Sequence, residues 1–310
     1  MLPVGNRSGI PCGPFYQSDG IAVSQWYPEF PYWTGGQAPL FVGTALTRLA
    51  TMRSNGLSMF LGLQGNSSLY RTGGYFDFTK WKNQCDAMYA LGIESYIEDG
   101  TVYANYMIDE PKAINSWGGV TVPNNTLDDM AAYSKTRWPT LPCLVRDEPL
   151  ILINRATVAG GAWPGGAYEW QHLDGAWCQY NTTKGILWGG GVVSSYMANN
   201  YASAQSQGLS LVCGYNWRDG GDGTSGVQAW PIAGKSTWWC MSPTEVSTYM
   251  LTLLSDQYPD VSGFCMWKHV DNTIEEDVDD YWDSAPMRTA FDTLLARCAE
   301  RERRPLLKRL

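Results

Sequence analysis

The sequence predicts an eight-stranded parallel α/β barrel, and three observations support that fold class. Predicted strands and helices alternate along most of the chain, as they do when helices cover a parallel sheet. The predicted strands are continuous apolar runs, as in residues 57–63 and 209–215, and such runs are typical of strands buried on both faces. The 310 residues, 44% of them hydrophobic, suffice for one large core. An open doubly wound sheet is the alternative, but the Gly-x-Gly-x-x-Gly turn of its dinucleotide-binding form is absent.

The strands are predicted from short apolar runs bounded by glycine, proline or polar residues. Near the amino terminus the sequence is rich in glycine, proline and aromatic residues, and one of the eight strands is therefore hard to place there. The seven clearer strands cover 10–16, 57–63, 103–109, 142–146, 172–180, 209–215 and 261–268, and residues 21–26 are the candidate for the eighth.

The helices are predicted from apolar residues at helical spacing and from end signals. Between Trp81 and Ile97 apolar residues repeat at helical spacing, and Gly100 follows as a stop. A Ser-Pro-Thr-Glu start at 242–245 and a capping-box pattern at Thr126 mark two further helix beginnings. The predicted helices cover 39–55, 78–99, 126–137, 192–207, 243–257 and 285–300. Together these elements predict a single TIM-barrel domain over 1–300, followed by a basic, flexible tail over 301–310.

Charge and cysteine content exclude several function classes. The net charge is −8, which disfavours nucleic acid as a partner because its binding depends on clustered Lys and Arg. No apolar stretch is long enough to cross a membrane, and no signal-peptide core is present. The eight cysteines are scattered without a Cys-x-x-Cys motif. Buried free thiols are therefore the default expectation, although one or two disulfides stay possible.

Aromatic residues dominate the unusual part of the composition. Fifteen Trp and eighteen Tyr accompany only eight Phe. Trp and Tyr combine a flat apolar face with a polar edge, which matches the C–H faces and hydroxyl rims of sugar rings. Most of the Trp residues are expected in the core, but those in loops beyond strand ends are candidates for stacking on sugars.

Catalytic groups of such barrels come from the carboxyl ends of the strands, so these positions supply the candidate site residues. Carboxylates, amides and aromatic residues dominate them, whereas zinc-site spacing and a Gly-x-Ser-x-Gly motif are absent. The candidates are Gln64, Asn66, Asp109, Glu110, Arg146, Asp147, Glu148, Asp174, Gln179, Tyr180, Asn216, Trp217, Asp219, Trp267 and His269.

The adjacent acids Asp109 and Glu110 indicate glycoside cleavage, which needs two carboxyl groups across one bond. We expect strand alternation to point them to opposite faces, so that Glu110 faces the cleft as general acid. Asp109 is then expected to raise the pKa of Glu110 or to orient its neighbours. The partner carboxylate is predicted to be Asp219 or Asp174, each of which precedes a glycine and could equally belong to a turn.

The motifs in which these candidate residues lie resemble those of the clan A glycoside hydrolases and, more closely, of uncharacterised glycoside-hydrolase-like barrel proteins. The resemblance spans roughly residues 40–285 and implies that Glu110 is the acid/base at the end of strand four. It also implies a nucleophilic Glu at the end of strand seven, where this sequence has Asn216 and Asp219 instead. Either Asp219 is the nucleophile, or the enzyme inverts with an Asp activating water, or the site binds sugar without cleaving it. The matching motifs are LQGN at 63–66, FDFTKW at 76–81, YIEDGT at 96–101, IDEP at 108–111, WGG at 117–119, VR at 145–146, QY at 179–180 and DGG at 219–221.

The sequence therefore predicts a glycoside hydrolase acting on a polysaccharide or oligosaccharide, extracellular or at a cell surface, without metal or cofactor. Substrate hydroxyls are expected on Gln64, Asn66, Arg146, Gln179, Tyr180 and Asn216, and sugar rings on Trp217 and Trp267. One rival is a non-catalytic carbohydrate-binding or adhesin-type barrel. A second is ester hydrolysis, which needs a Ser or Cys nucleophile beside His269, and no motif supplies one. The oligomeric state is not predicted.

Overall fold

Eight parallel strands form a nearly closed barrel in the computed structural model, which describes residues 9–16, 32–153, 168–217, 220–221, 239–267 and 284–301. Strands β2 to β8 pair in chain order, and β1 pairs with β8. A bridge between Phe15 and Gln37 links β1 to β2. The predicted (β/α)8 fold is thereby confirmed. The strands are β1 (Cys12–Pro14), β2 (Gly35–Pro39), β3 (Ser58–Gly62), β4 (Val102–Asp109), β5 (Cys143–Arg146), β6 (Gly175–Tyr180), β7 (Ser210–Tyr215) and β8 (Val261–Met266).

Helices surround the barrel, and several begin or end at the signals expected from the sequence. The helix at 243 has a complete capping box between Ser242 and Glu245. Asp77 caps another by accepting a hydrogen bond from the Lys80 amide at 3.0 Å. Within the described residues the helices are α1 (Ala45–Ser54), α2 (Phe78–Tyr89), α3 (Glu94–Glu98), α4 (Asn124–Arg137), α5 (Pro149–Ile153), α6 (Thr182–Gly189), α7 (Val193–Ser206), α8 (Pro243–Leu253) and α9 (Ala285–Glu300).

Strand β2 differs from the prediction, because it lies at Gly35–Pro39 rather than at 21–26, which is outside the described residues. Its sequence, Gly-Gly-Gln-Ala-Pro, has no apolar run. The glycines are required by close packing: a Cβ on Gly35 would lie 2.2 Å from the Ser58 carbonyl oxygen, and one on Gly36 would lie 2.6 Å from the Pro14 carbonyl oxygen. Steric fit at the barrel seam, rather than hydrophobicity, determines this strand.

Two helical segments also depart from the prediction. The expected helix over 78–99 is divided into α2 and α3, because Gly92 has a φ of +68° in the connecting turn. Helix α6 was not predicted at all, and it places Lys184 beside the barrel mouth. Asn181 caps its start by accepting a hydrogen bond from the Lys184 amide at 2.7 Å, and Gly190 ends it with a φ of +58°.

The apolar core has two parts. The larger part lies between the strands and the surrounding helices, and it contains the fully buried Trp81, Trp117, Trp138, Trp170 and Trp217. These five confirm that much of the Trp content is structural. The smaller part fills the inside of the barrel and consists of Phe60, Ala104, Tyr106, Leu144, Trp177, Val212 and Cys265.

All eight cysteines are buried and unpaired, which agrees with the expectation of buried free thiols. Five lie on strands of the barrel, two on helices α2 and α9, and Cys240 lies ahead of α8. Burial raises the pKa of the Cys178, Cys213 and Cys265 thiols. None of the described helices has both the length and the hydropathy of a membrane span.

Candidate active site

The end of strand β4 brings Asp109 to the barrel mouth because the register of β4 with β5 shifts between Tyr106 and Ile108. Tyr106 belongs to the interior cluster, and Asp109 pairs in register with Arg146 of β5. Regular alternation from an interior Tyr106 would turn Asp109 outward. The bulge therefore delivers Asp109 to the same side as Arg146, at the carboxyl end of the barrel.

Glu110 follows β4 in a left-handed backbone conformation, with a φ of 41°, and it is the one non-glycine residue with positive φ among the described residues. The strain costs on the order of 1–2 kcal/mol. Backbone hydrogen bonds hold it: the Glu110 amide donates to the Arg146 carbonyl oxygen at 2.8 Å, and its own carbonyl oxygen accepts from the Ala113 amide at 2.9 Å. The Trp117 indole Nε1 donates to that carbonyl oxygen at 3.0 Å. Strained conformations of this kind cluster at functional sites, which makes Glu110 a candidate site residue.

The Arg146 guanidinium lies at the centre of the site. It forms an ion pair with Asp109, and its Nη2 lies 3.9 Å from Glu110 Oε1. Aromatic rings lie on two sides of it, with centroids 5.2 Å away for Trp177 and 4.9 Å away for Trp267. Both acids therefore face the same cation, and the predicted opposite orientation of Asp109 and Glu110 is wrong.

Lys184 supplies a second cation from the first turn of α6. Its Nζ lies 3.7 Å from Glu110 Oε1 and 2.6 Å from Glu148 Oε1. The Tyr196 hydroxyl donates to the same Glu148 oxygen at 3.3 Å. Glu148 thus holds the lysine from below, and the lysine in turn faces Glu110.

Exposure separates the acids of this cluster into two groups. The side chains of Asp109 and Glu110 are 44% and 39% exposed, whereas that of Glu148 is 1% exposed. Asp147 is buried as well and accepts a hydrogen bond from the Lys112 amide at 3.0 Å. Only the first two of these four acids can therefore touch a ligand in the mouth.

The protonation tendencies of the two accessible acids reverse the sequence-based expectation. Burial acts to raise the pKa of Glu110, but Arg146 and Lys184 together outweigh it, and the net shift is downward. Burial raises the pKa of Asp109 even though Arg146 opposes the shift. The pKa of Glu110 is thus shifted downward and the pKa of Asp109 upward, in the opposite sense to the expectation.

Asp147 lies behind this pair and titrates close to neutrality. Burial first, and the adjacent negative charge of Glu148 second, raise the pKa of Asp147 to about 7. Lys184 and the Lys112 amide act against that shift. Asp147 is therefore a buried acid whose raised pKa brings it close to neutrality.

The remaining predicted residues at the mouth are Gln179, Asn216 and Trp267. Arg146 Nη1 lies 3.5 Å from Gln179 Oε1. Asn216 forms a bridge with Trp267 beyond the ends of β7 and β8. The Trp267 ring stacks on Phe15 with centroids 4.8 Å apart. Gln179 and Trp267 therefore lie beside the guanidinium, whereas Asp219 and His269 lie outside the described residues.

Asp174 is at the opposite end of the barrel, so it cannot be the partner of Glu110. It precedes β6, where its Oδ1 pairs with Lys135 Nζ at 2.9 Å. Its Oδ2 accepts from the Cys143 amide at 2.8 Å, at the start of β5. Its side chain is completely buried. Asp174 is therefore a structural residue, and its predicted catalytic role is wrong.

Four predicted ligand-binding residues are occupied elsewhere. Tyr180 packs edge-on against Tyr196 and Tyr249 in the layer between barrel and helices. Trp217 and Gln64 are buried in the described structure, so neither offers a surface to sugar. Asn66 caps the turn after β3 by accepting a hydrogen bond from the Ser68 amide at 3.1 Å. Proximity to a strand end did not distinguish residues that face the mouth from those that face the helices.

The described residues form the eight-stranded parallel barrel that the resemblance implies, with two exposed acids at its mouth. No protein-family model and no curated protein sequence matches the chain.

Similarity to solved structures lies in the fold. An endo-β-1,4-mannanase from Thermotoga petrophila has a TM-score of 0.59 at 9% identity, covering 95% of this chain and 78% of that one. The exo-β-1,4-mannosidase Op5Man5 from Opitutaceae bacterium strain TAV5 has a TM-score of 0.57 at 10% identity, with 94% and 60% covered. A thermostable mutant of the xylanase Xyn10A from Cellvibrio japonicus has a TM-score of 0.51 at 10% identity, with 94% and 99% covered.

Proposed function

We propose that this protein hydrolyses glycosidic bonds of a polysaccharide or oligosaccharide, using Asp109 and Glu110 as its carboxylate pair. One observation carries the proposal: two exposed acids at the carboxyl end of β4 contact one guanidinium, and that guanidinium lies beside aromatic rings. The left-handed Glu110 backbone adds support, because strain of this kind is retained where function requires it. Hydrolysis by such a pair needs neither metal nor cofactor.

The two acids take different roles because their environments differ. Glu110, held as an anion by Arg146 and Lys184, attacks the anomeric carbon or activates the water that does. Asp109, the acid with the raised pKa, donates its proton to the departing oxygen. Arg146 then stabilises the Asp109 carboxylate that results. This assignment replaces the sequence-based one, in which Glu110 was the proton donor.

Substrate recognition rests on the groups around the acids. Asn216, half-buried at the mouth, is suited to hold a sugar hydroxyl, and the half-buried edge of the Trp267 ring is suited to contact a sugar ring. The mannanase, mannosidase and xylanase of similar fold act on β-1,4-linked glycans by their names, so such glycans head the set of substrates to test. A polysaccharide substrate places the protein outside the cell or at its surface.

A hydrolysis assay on β-1,4-mannan, xylan and aryl glycosides tests the proposal. We expect Glu110→Gln to lower kcat by at least about 10³-fold on every substrate that wild type cleaves. Asp109→Asn is expected to lose most activity on the polysaccharide but much less on aryl glycosides, whose leaving groups need little protonation. Added azide should restore turnover in Glu110→Gln if Glu110 is the nucleophile. Full activity of both variants would contradict the proposal.

A non-catalytic carbohydrate-binding barrel is the second candidate, and one observation favours it. The two exposed acids are sequence neighbours on one strand and contact the same cation, whereas hydrolases place their acids on either side of the bond. Glycan binding by wild type, with no cleavage by wild type anywhere in the panel, would favour this candidate. Glu110→Gln and wild type would then bind with similar affinity.

A further inference from the structure

We infer that Tyr75 forms an aromatic subsite for a sugar unit distant from the cleaved bond, on the β3 and β4 side of the mouth. The inference deepens the proposed function, since the ligand is the same glycan chain. Tyr75 lies in the connection from β3 to α2, and its side chain is 51% exposed. An exposed aromatic residue alone is ordinary, but Tyr75 is unusual because hydrogen bonds and packing fix the hairpin that carries it.

The hairpin that carries Tyr75 is fixed to helix α2. Its strands, Arg71–Thr72 and Tyr75–Phe76, are joined by two glycines with φ of 58° and 89°. The Thr72 hydroxyl donates to Asp77 Oδ2 at 2.6 Å, and Asp77 is also the cap of α2. Lys80 Nζ donates to the Arg71 carbonyl oxygen at 2.9 Å. The ring is therefore held in place before any ligand arrives, which lowers the entropic cost of binding.

One face of the Tyr75 ring packs on the backbone of Gly118. A Cβ at Gly118 would lie 2.9–3.1 Å from three ring atoms, which is too close for a side chain. The φ of Gly118 is +66°. Both the space and the conformation at this position require glycine. The loop after β4 thus supports the ring from beneath, and about half of the side chain stays open to solvent.

The Tyr75 ring and the Gly118 backbone beneath it form a platform, and Trp117 connects this platform to the acids at the mouth. It precedes Gly118 and donates from Nε1 to the Glu110 carbonyl oxygen at 3.0 Å. Its ring stacks parallel to Tyr70 at a centroid distance of 6.3 Å and meets Phe76 of the hairpin edge-on at 5.9 Å. The distance from the platform to Glu110 is therefore set by packed rings rather than by a free loop.

A second aromatic surface lies across the mouth. The stacked rings of Phe15 and Trp267 follow β1 and β8, and β8 is opposite β4 in a ring of eight strands paired in order. The acids thus lie between two aromatic surfaces. Ile114 and Val120, both exposed, lie in the same loop as Gly118 and add apolar surface to it. This arrangement fits a glycan that extends from the acids toward Tyr75 rather than a single sugar.

Binding of β-1,4-linked mannohexaose, xylohexaose and cellohexaose, with the matching disaccharides, tests the inference by calorimetry. The full chain carrying Glu110→Gln is used so that ligands stay intact. We expect at least one hexasaccharide to bind more tightly than its disaccharide. Tyr75→Ala should then raise the Kd of that hexasaccharide about three- to tenfold and leave the disaccharide Kd unchanged.

Matched variants separate stacking from damage to the fold. Tyr75→Trp keeps a ring on the platform and should retain hexasaccharide binding. Tyr89→Ala removes a Tyr that is 42% exposed at the far end of α2, and it should change neither Kd. Thermal melting of each variant shows whether it folds like the parent.

The outcomes distinguish this inference from the proposed function. An equal loss at both ligand lengths, no loss in Tyr75→Ala, or no binding of any of the three hexasaccharides would overturn the subsite. Length-dependent binding through Tyr75, with no cleavage of polysaccharide or aryl glycosides by wild type, would leave the subsite standing and contradict hydrolysis. Cleavage by wild type, together with unaltered hexasaccharide binding in Tyr75→Ala, would support hydrolysis and contradict the Tyr75 subsite.

Discussion

The two ends of the barrel each hold an aspartate paired with a basic residue, yet the pairs differ in what they leave open. At the amino end, both oxygens of Asp174 have partners, Lys135 Nζ and the Cys143 amide, and the side chain is completely buried. At the carboxyl end, Asp109 and Glu110 meet Arg146 but keep 44% and 39% of their side-chain surface exposed. The first pair joins α4 to β5 and β6, and the second leaves its acids open to solvent.

Exposure, rather than residue type, separates the acids proposed to be catalytic from the structural one. Both ends have an acid, a cation and a nearby strand end. Only the carboxyl end adds a strained backbone at Glu110 and a second cation from Lys184. Variants at each end of the barrel test this contrast.

Asp174→Ala should reduce the free energy of unfolding by about 3–5 kcal/mol, because it leaves Lys135 and the Cys143 amide without their partner. Activity per folded molecule should stay at the wild-type value. Urea denaturation and active-site titration measure the two quantities. Asp86→Ala is the matched control: it breaks an ion pair with Arg137 in which the Asp is 45% exposed, and it should cost about 1 kcal/mol or less. Unchanged stability in Asp174→Ala would contradict the structural role.

Asp147→Asn should stabilise the protein at pH 8 but not at pH 4, by roughly 2–4 kcal/mol. The unfolded chain releases this proton near its ordinary pKa, whereas the folded protein keeps it until pH is about 7. Between those values the folded state binds more protons, so wild-type stability falls as pH rises. The asparagine oxygen can still accept from the Lys112 amide. Melting temperatures of both proteins across pH 4–8 test this, and parallel curves would refute it.

Lys184→Gln should move the acidic limb of the kcat/KM profile to higher pH. Lys184 is one of the two cations that lower the pKa of Glu110, so without it Glu110 takes up its proton at a higher pH. Because the single variant also leaves Glu148 buried without its cation, the double variant with Glu148→Gln serves as control. It should fold more stably than the single variant and show the same shift of the limb. An unmoved limb in both would remove Lys184 from the mechanism.

Glu110→Gly should be more stable than Glu110→Ala by about 1 kcal/mol. Both variants remove the carboxylate, so their difference isolates the left-handed backbone. Both should be inactive. Equal unfolding free energies would indicate that the backbone relaxes once the acid is gone.

The general fold and the position of the site could be predicted from the sequence, because apolar runs and helix signals are local. Strand β4 and its Asp-Glu-Pro ending were recognised in this way. Strand β2 could not be predicted in this way. Its glycines are required by the close approach of the Ser58 and Pro14 carbonyl oxygens, and no local sequence pattern indicates that approach. Packing between segments that are distant in the sequence therefore determines where strand β2 lies.

The arrangement of the site could be predicted less well. The shift of register in β4 that turns Asp109 toward Arg146 has no sequence signal of its own. The approach of Lys184 could have been anticipated, because Asn181 followed by Thr182 is a helix-start pattern and Gly190 a matching stop. Predicted ligand contacts such as Tyr180 failed because facing the mouth or facing the helices depends on register.

The eight buried thiols give the molecule a set of internal reporters. They lie on β1, on the four strands from β5 to β8, on two helices and ahead of α8. A thiol-reactive reagent meets none of them until the surrounding structure opens. The rate at which each cysteine becomes labelled would therefore map, position by position, which strands separate first when the barrel unfolds, and no engineered probe would be needed.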